Sequence, residues 1–75
     1  MGTKESSDAQ VLVVKFPILK FFAYDHLPPN LKDVSAGFCN LAWEMAMHLP
    51  HNAELSTCLR KLLEAKDCAV RAILN

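Results

Sequence analysis

One stretch of the chain, from about Leu31 to about Leu49, is apolar on two sides at once. Leu31, Val34, Phe38, Leu41, Met45 and Leu49 recur at spacings of three and four, which is one apolar stripe along an α-helix. At about 100° per residue, Ala36, Cys39, Trp43, Ala46 and Met47 form a second stripe. Only Asp33, Asn40 and Glu44 keep a narrow polar edge, with Lys32 in the first turn. A helix apolar on most of its sides has to be surrounded, and one partner helix cannot surround it.

The boundaries of this helix are written in the flanking residues. "HLPPN" breaks the chain, Asn30 is the expected N-cap, and Pro50 ends the helix. Gly37 lowers helix stability by about 1 kcal/mol relative to Ala, so it is expected to mark a close helix contact. "LPHN" then makes a tight turn, with Asn52 as the second N-cap and Glu54 favouring the dipole of the next helix. That helix is expected over about Ala53 to Leu74. Its core face carries Leu55, Leu59, Leu62, Leu63, Val70, Ile73 and Leu74. Two helices joined by so short a turn form an antiparallel helical hairpin, placed at residues 31–75.

Upstream, residues 1–10 are polar and read as a flexible tail. Residues 11–30 read as an extended arm and loop. Val11, Val13, Val14, Phe16, Ile18, Phe21 and Phe22 are β-branched or aromatic, which suggests a short strand that Pro17 confines to an edge or bend. A lone strand is not stable, so this arm has to lie on the helices or on another subunit.

Size makes the burial problem acute. The chain has 75 residues, of which 52% are hydrophobic. A single domain this short has little interior, and excess apolar surface on such a body points to subunits that share it. The expected fold is therefore mainly α: a helical hairpin with a short N-terminal extended arm, assembled into a compact homo-oligomer. Eight basic and eight acidic side chains leave a formal net charge of zero. That argues against a grip on duplex DNA, including a helix-turn-helix mode, because such affinity comes from phosphate neutralisation. Cys39, Cys58 and Cys68 are odd in number and form no CxxC pair, which suits a reduced, intracellular setting. No apolar run approaches the roughly 18 residues of a membrane span, so no membrane partner is expected. His26, His48 and His51 show no metal-ligand spacing with the cysteines, and no metal or other cofactor is expected. No nucleophile–base pair stands out, so the chain is not read as an enzyme and no catalytic residue is assigned.

Lys66 is the anomaly of the second helix. With Leu59 at zero, the apolar arc runs from about −80° to about +60°, and Lys66 falls near −20°, inside it. Either its aliphatic stem covers apolar surface while the ammonium reaches solvent, or the ammonium stays in a shared pocket and needs an anionic partner. That partner would be Asp67 or Glu64 of a neighbouring subunit, or a ligand phosphate. Arg71 strengthens the anion reading, since a guanidinium suits phosphate geometry. Arg60–Glu64 and Asp67–Arg71 are each four apart, so both pairs can meet. Tyr24 and His26 precede the first helix. A tyrosine there can stack on a nucleobase or pack as a core aromatic. Trp43 packs either inside the subunit or at an interface.

The strings "FFAYDHLP", "LKDVSAGFCNLA", "LPHNAE" and above all "LRKLLEAKDCAVRAIL" resemble the phage anti-CBASS cyclic-oligonucleotide sponges. These share a helical hairpin with phage proteins that antagonise the Thoeris defence. The resemblance covers about residues 22–74. It implies a compact homo-oligomer, typically a hexamer, that binds cyclic di- or trinucleotides between subunits without cleaving them. The alarm signal is thereby removed from the cytoplasm of the infected bacterial host, and the CBASS effector stays silent. The resemblance implies a ligand-binding set of Tyr24, His26, Lys66 and Arg71. Phe38, Trp43, Met47 and Asp67 are assigned to the oligomer interface. Some relatives carry a further ligand-contacting lysine in the first helix, where this chain has "GFCNLA" with none. The alternative is a helical-hairpin oligomerisation or protein-interaction module with no small ligand, in which Lys66 finds a carboxylate partner across the interface.

Overall fold

The computed structural model describes residues 2–75, with side chains from Ala9 onward. Three α-helices follow in order: α1 (Gly2–Lys15), α2 (Pro29–His48) and α3 (Ala53–Leu74). A six-residue 3-10 helix, Pro17–Phe22, lies between α1 and α2. The described residues contain no strand.

The first segment corrects the expectation of an extended arm. Val11, Val13 and Val14 are helical, and the helix takes in residues 2–10 as well, where a flexible tail was expected. Met1 and the side chains of residues 2–8 lie outside the described residues. The physical reason is backbone hydrogen bonding. A strand needs a neighbour to pair with, and the described residues contain no other strand, whereas a helix satisfies its own N–H and C=O groups. The β-propensity of valine is a weak bias that context overrides.

Pro17 then turns the chain. Its ring disfavours helical geometry at the preceding residue, and Phe16 sits at φ −131°, ψ 79°. The chain therefore leaves α1 after Lys15, with the Phe16 N–H still donating to Leu12 O at 2.7 Å. Pro17 opens the 3-10 helix, where its missing N–H costs nothing. At three residues per turn, Phe16, Leu19 and Phe22 fall in one row. All three are buried, while Lys20 and Phe21 face outward. The row is a wedge, and it forms one core with Ala42 and Ala46 of α2 and Leu55 and Leu59 of α3.

The core face of α2 differs from both expected stripes. Its buried residues are Leu31, Ser35, Ala42 and Ala46, an arc that lies between the two. Three of the four are small, which leaves room for Phe16 and Phe22 opposite. Phe38, Cys39, Trp43 and Met45 flank this core half-buried. Gly37 does not mark a close contact. It is exposed, and a Cβ built on it would meet nothing within 4 Å.

Helix ends agree with expectation at three of four places. α2 begins at Pro29, one residue before the expected cap, so Asn30 is inside the helix and caps nothing. Pro28 O instead accepts from Leu31 N at 3.0 Å and Lys32 N at 2.7 Å. The paired prolines explain this: Pro29 suits the first helical position because its φ is preset. At the other end Leu49 turns extended ahead of Pro50, and α2 stops at His48. Asn52 caps α3 as expected, its side chain accepting from Leu55 N at 3.0 Å. His51 ties the turn down. Its Nε2 is 2.7 Å from Ala46 O, and its ring meets Phe16 edge-on at 5.0 Å between centroids.

The body measures 39 × 30 × 16 Å across its principal axes. Packed helices sit about 8–10 Å apart, so 16 Å leaves no room for a covering layer on both sides. Val11, Val14, Phe21, Leu41, Met47, Leu49, Ile73 and Leu74 stay exposed, Val14 at 78% and Met47 at 62%.

Candidate functional site

The site grows from the position of Lys66 on α3. Its Cα lies on the arc that continues from Leu55 and Leu59, so the side chain runs toward the 3-10 wedge. The ammonium donates to the Phe21 carbonyl oxygen at 2.7 Å. Nζ also stands 6.0 Å from the centre of the Phe22 ring, over its face. Both contacts have the right sign. A carbonyl near the end of a short helix lacks an intrahelical partner, and an aromatic face is electron-rich. Lys66 therefore follows neither expectation fully. It is half-buried, and its charge is met by backbone and ring of its own chain rather than by solvent alone. One bond to Phe21 leaves two of its three N–H donors for other partners.

Beside it lies a recess of about 200 Å³ between α2, α3 and the loop before α2, lined by Leu27, Ser35, Lys66, Asp67, Val70 and Arg71. Two cations and one carboxylate give its wall a formal charge of +1. Leu27 and Val70 supply apolar surface. Arg71 is exposed, and its Nη2 donates to Cys68 Sγ at 3.4 Å, a weak partner for a guanidinium. Among the described residues the Asp67–Arg71 and Arg60–Glu64 pairs that the spacing permits do not close into ion pairs.

Ser35 forms part of the recess and is 0% exposed. Its Oγ is buried without a hydrogen-bond partner, the one such side-chain atom among the described residues. Cys39 stands one turn further along α2, half-buried. Burial pushes its thiol up, and the Asp25 carboxylate adds to this. The Lys66 ammonium and the Trp43 side chain act the other way.

The expected ligand set is divided by this geometry. Lys66 and Arg71 share the recess, with Asp67 between them in sequence and on the same wall. Tyr24 and His26 do not line it. Tyr24 is half-buried, its carbonyl accepting from Leu27 N at 3.0 Å, and His26 is exposed in the loop. Of the residues assigned to an interface, Met47 is exposed, Phe38 and Trp43 flank the core, and Asp67 belongs to the recess. Trp43 also lines an open groove with Ala9, Gln10, Val13 and Val14 of α1.

Ser35 and the Phe21 carbonyl were missed by sequence reasoning. Ser35 had a usable signal, since it lies four residues beyond Leu31 and seven before Ala42, on the buried arc. The Phe21 carbonyl had none, because only the tertiary fold brings it to a lysine 45 residues away. Among the described residues no group of three His, Cys, Asp or Glu side chains is arranged to hold a metal ion. Among the same residues no helix is long and apolar enough to cross a membrane. No protein-family model, curated protein or solved structure matches this chain.

Proposed function

We propose that this chain is a non-catalytic sponge for cyclic oligonucleotides. In this reading α2 and α3 form an antiparallel hairpin, and copies of it assemble into a compact homo-oligomer, a hexamer. The assembly holds cyclic di- or trinucleotides intact in the cytoplasm of the infected bacterial host and so keeps a CBASS effector inactive. The observation that carries the reading is the convergence of Lys66 and Arg71 on one recess with apolar walls. Guanidinium and ammonium groups beside apolar surface suit a ligand that alternates phosphates with sugars and bases. The recess volume of about 200 Å³ is below the ~300–1,000 Å³ of complete ligand pockets, and in this reading a second subunit supplies the remainder. The resemblance of "FFAYDHLP" and "LRKLLEAKDCAVRAIL" to the sponges gives the ligand class. Tyr24 and His26, outside the recess of their own subunit, are assigned to the part of the pocket that a neighbour completes.

Calorimetry of the full chain against a panel of cyclic di- and trinucleotides tests this. Binding is expected at a stoichiometry fixed by the subunit count, and the ligand should return chemically intact after denaturation. Lys66→Ala should weaken binding more than it harms folding. No heat with any member of the panel, on a well-folded oligomer, rules the reading out.

A second reading is favoured by a specific contact. The Lys66 ammonium already has a partner in the Phe21 carbonyl, so a ligand-free oligomerisation module would leave no charge stranded. Under that reading the same panel gives no heat, and Lys66→Ala loosens the 3-10 wedge instead.

A further inference from the structure

We propose that the recess is a subsite for a single phosphodiester, with the Ser35 hydroxyl as the donor at its floor. The proposal deepens the cyclic-nucleotide reading and rests on it for the identity of the whole ligand.

Ser35 is the starting point. A serine inside a helix ordinarily points to solvent or returns its hydroxyl to the carbonyl four residues back. Here Ser35 is 0% exposed, and Oγ has no partner. Burying a hydroxyl without a partner is destabilising, and alanine at the same place would avoid the cost. Helix packing gives no reason for the oxygen, since Ala42 and Ala46 serve the same arc without one.

The surroundings say what the hydroxyl is suited to meet. Lys66 and Arg71 carry donors only, and the hydroxyl can donate as well. Donors from three side chains therefore border one small space. An acceptor-rich anion satisfies all three, and a phosphodiester presents two charged oxygens to do so. Asp67 stands exposed on the same wall and leaves the balance at one positive charge, which matches one phosphodiester. Leu27 and Val70 offer apolar contact to the carbon atoms attached to the phosphate. Ser35 has no accessible surface in the ligand-free chain, so a wall side chain moves as the anion enters. Lys66 is suited to move, because its ammonium is held by one surface-exposed hydrogen bond, to Phe21, and a 6.0 Å approach to the Phe22 ring.

The test uses the full chain labelled with nitrogen-15 and two probes, dimethyl phosphate and cyclic di-AMP. Dimethyl phosphate should shift the amides of Ser35, Lys66, Arg71 and Phe22, the last because its N–H shares a peptide with the Phe21 carbonyl. Thr57 and Lys61, on another part of α3, should stay in place. Ser35→Ala should weaken the dimethyl phosphate response about tenfold while melting at or above the parent temperature. Weaker anion binding together with unreduced stability is not what a purely structural serine would give. Arg71→Gln, at an exposed position, should weaken the response without affecting folding. An absent shift at Ser35, or a Ser35→Ala variant that binds like the parent, overturns the subsite even if cyclic di-AMP binds. A marked fall in melting temperature for Ser35→Ala also overturns it, by revealing a structural partner. A specific dimethyl phosphate response with no binding of any cyclic nucleotide leaves the subsite standing and removes the sponge reading.

Discussion

Gly37→Ala is the perturbation whose sign depends most directly on the packing of α2. Glycine in a helix interior is less favourable than alanine by about 0.8–1.0 kcal/mol, because it loses more backbone freedom on folding. Two structural conditions decide whether the gain is realised. Gly37 has no positive φ, so alanine fits the backbone without strain. A Cβ there meets nothing within 4 Å, so the methyl displaces no neighbour. Both hold, and Gly37→Ala should stabilise the fold by about 0.8 kcal/mol. Unfolding entropies near 2.1 cal/mol/K per residue give roughly 0.16 kcal/mol/K for a chain of this size. The melting temperature should therefore rise by about 5 °C. Circular dichroism at 222 nm, recorded at two protein concentrations tenfold apart, reads the change. A melting temperature that falls, most steeply at the lower concentration, would show a second chain pressed against Gly37. That result refutes the reasoning that the glycine side of α2 is open.

The core and its caps support three further expectations. Phe22→Ala removes a fully buried ring and should cost about 3–5 kcal/mol, a large part of what a domain of this size has, whereas Phe21→Ser should leave stability nearly unchanged and improve solubility. Equal losses at the two positions, read by urea denaturation, would disprove the 3-10 register. Asn52→Ala should cost about 1 kcal/mol by removing the acceptor for Leu55 N, and Asn30→Ala, at a position that caps nothing, should cost far less. For Cys39, burial favours the neutral thiol, so the folded chain holds this proton more tightly than the unfolded one. Its contribution to stability is then constant at neutral pH and falls as pH rises through the thiol range. Cys39→Ala should flatten that alkaline slope, and Cys39 should react with a thiol reagent more slowly than the exposed Cys68. Equal labelling rates at pH 8 would contradict this.

The two long helices and the turn between them were legible in the letters alone. Their signals are local: Pro50 and the residue before it, the Asn52 side chain, and apolar residues repeated at three and four. α3 runs over Ala53–Leu74, as its pattern requires, because a capping bond and helical periodicity both act within a few residues. The N-terminal third was misread for the complementary reason. Valines and phenylalanines around Pro17 are compatible with strand or helix, and the choice turns on whether a pairing partner exists, which is a property of the whole chain. The 3-10 row of Phe16, Leu19 and Phe22 was present in the letters, but its period of three has meaning only once Ala42 and Ala46 provide the space it fills.

Lys66 shows the same division at the candidate site. Helical spacing alone placed a lysine inside an apolar arc and beside Arg71, and the recess contains both. What meets its charge was settled by long-range packing, since the Phe21 carbonyl and the Phe22 ring come from a segment 44 to 45 residues earlier. Ser35 was legible as a position on the helix, yet the burial of its hydroxyl without a partner, beside residues of α3 and the preceding loop, is a property of the packed chain. Sequence sets what each residue can donate, accept or bury. Tertiary packing decides which of those side chains meet, and in this chain it brings Ser35, Lys66 and Arg71 to the wall of one recess.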